Sequence, residues 1–272
     1  MCAKALARGA GAPDDAMLAR SAVVFSPHYD DETLGAGGTI IRKLARGATV
    51  HVVFMTDGSR SHAHAIEPAR LSAMRRNESL AAMDALGVPR DQVTFLELPE
   101  TRLRQHRDEA IDRVADLLVR LRSEQVFVPS TLEPLLWSPD HQVTTEVVFR
   151  ALERVRAAPE VVEYLVWFWY HWPWVSVRRG SDVRQLLRLT WAGRFGLTGA
   201  GVLNTAVPVG DVLGQKRAAL EAYASQMTRL STNTPWPVLG DVAQGEFLRC
   251  FFQPTELFKR YPFSEAAKST HR

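Results

Sequence analysis

The sequence predicts an α/β protein with a Rossmann-like, mostly parallel sheet flanked by helices and an aromatic-rich C-terminal insertion acting as a lid. Three observations carry that prediction. The strand-length runs Val23-Val24-Phe25, Val52-Val53-Phe54-Met55 and Val126-Phe127-Val128 are almost continuously apolar, as strands buried on both faces must be. Segments with apolar residues at helical spacing alternate with them, which builds βαβ units. Polar clusters follow two of the runs, and in an open α/β sheet ligands bind at the carboxyl ends of the strands.

Taken in order, residues 1–20 are rich in Ala, Gly and Arg and read as a flexible arm, without an apolar core long enough for a signal peptide. Residues 21–263 read as one α/β domain, with 158–200 as a substrate-capping insertion and 264–272 as a frayed terminus. After the first strand, Gly35-Ala36-Gly37-Gly38 misses the Gly-x-Gly-x-x-Gly spacing, and the acids before it would repel a pyrophosphate. Those glycines are expected to let a helix, assigned to 39–46, pack close to its strand. A second strand spans 49–57, with His51 as an ordinary core or surface histidine. His62 and His64 fall in a polar loop over 58–67 that could lie near the ligand-binding edge.

Leu71, Met74, Leu80, Met83 and Leu86 predict a helix over 68–86, stopped by Gly87 and Pro89. Strands follow at 93–98 and 125–128 around an amphipathic helix at 108–122. Residues 163–174 then hold four of the seven tryptophans, and their start reads as a fifth strand. The remainder of that stretch has two readings, a core aromatic cluster or a wall that stacks on a large substrate. On the second, Trp169, His171 and Trp172 bind substrate, with weak contact to a membrane or an acyl chain. Glu163, His171 and Pro173 exclude a transmembrane helix there. Residues 181–197 could add a second lid element, 202–209 a last strand, 211–227 a helix and 232–237 a loop.

Composition narrows the function. The net charge is +3, from 33 basic and 30 acidic residues with no dense basic block, so nucleic acid is not an expected partner. Cys2 and Cys250 are the only cysteines, which excludes a disulfide framework and a cysteine-based zinc site. A cytoplasmic location is compatible with that usage and is the expectation here.

The chemistry concentrates after the first strand, in His28, Asp30, Asp31 and Glu32. Carboxylates this close repel one another unless a cation compensates them. His28 and Asp31 suit zinc, which takes imidazole nitrogen and carboxylate oxygen, and Asp30 would remain as a base. The plainer alternative is that the acids cap the next helix, though His28 is then unexplained. Ser138-Pro139-Asp140-His141 recurs after the 125–128 strand. It offers His141 as a third ligand and Asp140 to orient a ring nitrogen from behind.

These residues resemble the PIG-L or LmbE-like zinc-dependent N-acetylglucosaminyl deacetylases, whose first motif matches Pro27-His28-Tyr29-Asp30-Asp31-Glu32. The likeness extends through Arg75 and Glu78 to Glu100, covers roughly 20–157 well, and continues loosely through Lys216 and Tyr223-Ala224-Ser225-Gln226. It implies one Zn2+ on His28, Asp31 and His141, Asp30 as catalytic base, and Arg75 and Glu100 on sugar hydroxyls. This chain departs from the family at Ser138, where a histidine usually assists the tetrahedral intermediate or the leaving amine. Asp30 acting twice, His171 as substitute, or reduced activity would each follow from that departure.

The resemblance implies removal of acetyl from an N-acetylglucosaminyl substrate. The aromatic stretch favours a bulky natural-product glycoside of the glycopeptide-antibiotic, teicoplanin-like type. A glycolipid or thiol-cofactor precursor is the alternative. A non-catalytic glycan- or lipid-binding protein, or a nucleotide-binding oxidoreductase using the glycines, are rivals from other classes.

Overall fold

The computed structural model describes residues 6–7, 9–13, 15–134, 138–177 and 183–264. Seven strands form one sheet: β1 (Ala22–Ser26), β2 (Val50–Thr56), β3 (Val93–Leu98), β4 (Gln125–Pro129), β5 (Glu160–Tyr164), β6 (Thr205–Pro208) and β7 (Thr255–Pro262). Their order across the sheet is β3-β2-β1-β4-β5-β7-β6. The first five are parallel, and β7 runs antiparallel to both β5 and β6. Strand order reverses between β1 and β4, so a crevice opens at their carboxyl ends.

Side chains alternate between the two faces of the sheet, which makes two cores. Val24, Val52, Phe54, Phe127 and Val162 pack under α2 (Asp31–Leu44), α3 (Pro68–Leu86) and α7 (Leu213–Glu221). Val23, Phe25, Val53, Val126 and Val128 pack under α4 (Arg107–Leu121) and α5 (Asp140–Val155). Sequence and structure agree closely on β2 to β4, α3 and α4, where long periodic runs meet clear stop signals. Gly87 ends α3 in the left-handed conformation (φ 87°) that favours glycine.

Several boundaries differ. The helix assigned to 39–46 begins at Asp31, so the glycines lie inside α2 instead of in a phosphate-binding turn. A Cβ on Gly35 would stand 2.3 Å from the Tyr164 ring, and one on Gly38 2.6 Å from Val209. The close approach is to β5 and the loop after β6, and the nucleotide-binding reading is overturned. Strand β7 went unrecognised in the sequence. Its Glu256 carboxylate reaches across to accept from Gly38 N (2.8 Å), Thr39 N (2.7 Å) and Lys216 Nζ (2.8 Å). The helix expected over 211–227 breaks near Tyr223 into α7 and a short turn over Ala224–Met227.

Part of the expected flexible arm is ordered. Residues Asp15–Ala19 form α1 with Met17 and Leu18 buried, and Lys43 Nζ donates to the Met17 carbonyl (3.0 Å). Gly11 is bracketed by hydrogen bonds with Asn204 and Ala206 beside β6. From residue 265 on, the expected frayed terminus lies outside the described residues. The range expected for a capping insertion, 158–200, overlaps the sheet at Glu160–Tyr164 and holds α6 (Val183–Ala192).

Candidate metal centre and pocket

The site is built from the loops that leave β1 and β4. Pro27 has no N–H to extend the ladder. Its carbonyl instead accepts from Thr56 N (3.2 Å) and Oγ1 (2.7 Å), which fixes the exit of β1 against β2. Asp30 then takes a positive φ of 126°, a strained conformation for a residue with a Cβ, immediately before α2 begins. Asp30 makes no side-chain cap, so the helix-capping account does not explain it. Glu32 turns away from the other acids. It accepts from Ser26 Oγ (3.1 Å) and Tyr223 OH (2.6 Å), tying the β1 loop to the segment after α7.

His28, Asp31 and His141 converge, with one ligand atom from each all within 4.8 Å of one another. Asp31 Oδ2 stands 3.0 Å from His28 Nδ1 and 3.2 Å from His141 Nε2. The other nitrogen of His28 faces Asp140 Oδ2 at 3.3 Å, and Thr101 N donates to that same oxygen (2.7 Å). Asp140 thus faces a ring nitrogen of His28; the sequence offers Asp140 for such a role without naming the ring. Ser138 Oγ accepts the N–H of Asp140, two residues on at the start of α5 (3.2 Å).

The set fits a divalent cation. Both ring nitrogens of His141 are buried without a hydrogen-bond partner among the described residues, although burial without one is costly. Two imidazole nitrogens and a carboxylate oxygen are also the donor types that such a cation takes with a fourth position left open. Against the opposing effect of burial, the two histidines hold the Asp31 carboxyl well below its usual range.

Beside it, burial pushes the Asp30 carboxyl well above the ordinary range, and the Asp31 charge adds to that against the pull of Arg75. Arg75 is itself buried. It stands 3.8 Å from Asp30 and 3.6 Å from Glu100, and it donates to the Tyr29 carbonyl (2.7 Å). The guanidinium holds two acids in place with a planar fork of donors.

These groups open into a pocket of about 550 Å³ that also meets His62, Trp167, Gln226 and Leu239. Arg75, Glu100 and Ser138 all line it. Trp169, His171 and Trp172 do not line it. Trp169 is buried in the core, edge-on to Trp174 at 4.9 Å, and His171 lies beneath Gly193, where a Cβ would come within 2.5 Å of its ring. Trp172 is exposed. The aromatic wall comes from Trp167, stacked on Phe247 at 4.8 Å. His171 cannot replace the histidine missing at Ser138. His62 is at the pocket, but its Nε2 lies 2.8 Å from the Pro237 carbonyl.

Sequence reasoning also missed Glu133. Its buried carboxylate accepts from Val166 N (2.6 Å) and Trp167 N (2.7 Å), and it stands 3.6 Å from His141 Nδ1. Nothing in the local pattern marks it, since its partners are a strand and a loop away.

Fold and site together define a metal-dependent hydrolase. The PIG-L family, described as GlcNAc-PI de-N-acetylase, matches residues 23–152. The chain is 30% identical over 251 residues to the 1D-myo-inositol 2-acetamido-2-deoxy-alpha-D-glucopyranoside deacetylase of Mycolicibacterium smegmatis, covering 79% of this chain and 85% of that one. It is 29% identical over 257 residues to the enzyme of that name from Nocardia farcinica, with 80% and 84% covered. Among solved structures, the N,N'-diacetylchitobiose deacetylase of Pyrococcus horikoshii superposes with a TM-score of 0.64 at 19% identity, covering 90% and 84%. The zinc-inhibited form of a teicoplanin deacetylase gives 0.59 at 18% identity, covering 88% and 97%, a likeness of fold. The chain belongs to the PIG-L family and is a metal-dependent N-acetylglucosaminyl deacetylase with a His/Asp/His metal site.

Proposed function

We propose that this enzyme uses zinc to remove acetyl from an N-acetylglucosaminyl unit joined to a small polyol of the inositol type. The observation that carries the reading is the convergence of His28, Asp31 and His141 beside Asp30 in a pocket of about 550 Å³. That volume is of the size that encloses a small ligand and is too small to enclose a glycopeptide. The relatives at 29–30% identity are named for an inositol-linked substrate. The glycopeptide reading rests on likeness of fold to the teicoplanin enzymes, which fold alone does not extend to substrate.

His28, Asp31 and His141 would hold the zinc, which would supply Lewis acidity toward the acetyl oxygen and lower the pKa of a water. Asp30, whose pKa is raised by burial, takes a proton from the attacking water as its oxygen bonds to the acetyl carbon. As the C–N bond breaks, Asp30 returns that proton to the departing amine, so acetate and a free amino sugar leave. With Ser138 standing where a proton-transferring histidine would be needed, one carboxylate performs both transfers. Arg75 holds Asp30 and Glu100, and Glu100 faces the sugar hydroxyls.

The test is acetate release from N-acetylglucosaminyl-inositol and from an N-acetylglucosaminyl glycopeptide, with and without chelator, beside zinc content. Chelator-sensitive release, faster on the inositol compound, is expected; preference for the glycopeptide overturns the substrate assignment. Asp30→Asn should lower kcat by about 10²–10⁴-fold with zinc retained. Normal zinc content in both His28→Ala and His141→Ala would remove those residues from the ligand set.

A further inference from the structure

Seven of the nine large apolar side chains exposed on the described surface fall between Trp172 and Leu197. Trp172, Leu187, Trp191, Phe195 and Leu197 are 46–75% exposed. Singly exposed apolar residues are ordinary, but a cluster confined to one segment marks an interaction surface. The rings touch one another, Phe195 lying 6.3 Å from Trp172 and 5.9 Å from Trp191.

Helix α6 divides this segment cleanly. Leu186 and Leu189 are buried in the core and anchor it. Val183, Leu187 and Trp191 recur every four residues and form one exposed stripe. Arg184 and Arg188 run beside that stripe, and exposed Arg194 follows. Residues 183–197 contain no Asp or Glu, and among the described residues none of these three arginines forms an ion pair.

We infer that this face docks on a membrane surface bearing anionic lipids. Tryptophan, leucine and phenylalanine on one side with arginine at the margin is the pattern of helices that lie in the plane of an interface. Arginine stems can lie along the apolar boundary while their heads reach lipid phosphates. A second copy fits poorly. A two-fold interface sets the same patch against itself, and here that brings the exposed arginines of both copies together. Trp167 of the pocket wall and Trp172 of this face lie five residues apart on one stretch of chain. Docking therefore engages the segment that also shapes the pocket.

The test is co-sedimentation of the full chain with vesicles of phosphatidylcholine alone and of equal parts phosphatidylcholine and phosphatidylglycerol, at low and high salt. Binding to the anionic vesicles that weakens with salt is expected. Trp191→Ser with Phe195→Ser should lower partitioning about tenfold, and Arg184→Gln with Arg188→Gln should remove the salt-sensitive part. All four positions are exposed and outside the pocket, so melting temperature and acetate release from a soluble substrate stay unchanged. No binding to anionic vesicles, or equal binding by the variants, overturns the inference. So does a dimer in sedimentation velocity that Trp191→Ser returns to monomer, which would assign the face to a second copy. Vesicle binding is read without turnover, so its failure is distinct from failure of the deacetylase assignment.

Discussion

Glu133 shows how much of the site depends on one side chain that takes no part in ligation. Its carboxylate closes the backbone of residues 166–168 and faces the buried Nδ1 of His141 at 3.6 Å. Burial pushes its pKa up, and the charge of the nearby His141 ring opposes that. Carboxylates behind ligand histidines fix the tautomer and raise basicity, and their removal typically costs about 10–100-fold in metal affinity. Glu133→Gln should weaken zinc binding by about that factor in a competition titration with a chelator, while Glu133→Asp retains part of it. Unchanged affinity in Glu133→Gln would leave Glu133 as a backbone cap only. His28, Asp30, Asp31, Asp140 and His141 are visible in sequence because each stands in a short motif after an apolar run. Glu133 is not, because folding alone brings it to the site, and His62 and Trp167 stand out only as members of a polar loop and an aromatic stretch. Trp169 and His171 mislead for a related reason: an aromatic stretch does not state which ring faces inward.

Element boundaries repeat the lesson. The acids and glycines of 30–38 fall before the helix assigned to 39–46, and glycine disfavours helix interiors. Helix α2 forms there regardless, since Gly35 leaves space for the Tyr164 ring and Gly38 for Val209, with Glu256 holding the Gly38 and Thr39 amides. The tertiary contact outweighs the local preference. Gly35→Ala should cost about 1–3 kcal/mol, the usual penalty for overpacking a filled core. A denaturant midpoint equal to wild type would show that Tyr164 can move aside. That ring also positions the end of β1 through Tyr164 OH donating to the Phe25 carbonyl (2.8 Å), so the same variant should loosen zinc. Strand β7 lay hidden for want of a long apolar run. Its Leu257 and Phe258 are buried while Lys259, Arg260 and Tyr261 are half-buried.

Across the whole molecule, Lys43 joins three separate parts of the chain. It extends from α2, donates to the Met17 carbonyl of α1 and to Gln125 Oε1 of β4 (2.6 Å), and is fully buried. Burial lowers its pKa to about 8, partly opposed by Glu160 and Glu124. Between that value and the unfolded lysine pKa, the unfolded chain binds more protons than the folded one, so stability rises with pH there. From pH 7 to about 9.5 the folded state should gain about 2 kcal/mol relative to Lys43→Met. Urea midpoints of the two proteins at both pH values measure it, and parallel changes would show that Lys43 does not titrate differently on folding. Among the described residues no helix is long and apolar enough to cross a membrane, so the proposed lipid contact is one of surface docking.

The sequence by itself determined the parallel core of the sheet, most of its helices and the motif residues that meet at the crevice, because hydrophobic periodicity and short motifs are local properties. Only the tertiary structure decided which face each aromatic side chain took, where Glu133 and Glu256 found their partners, and that β7 runs between β5 and β6. Those outcomes depend on contacts between residues tens to hundreds of positions apart. Neither end of such a contact carries a local mark of the other.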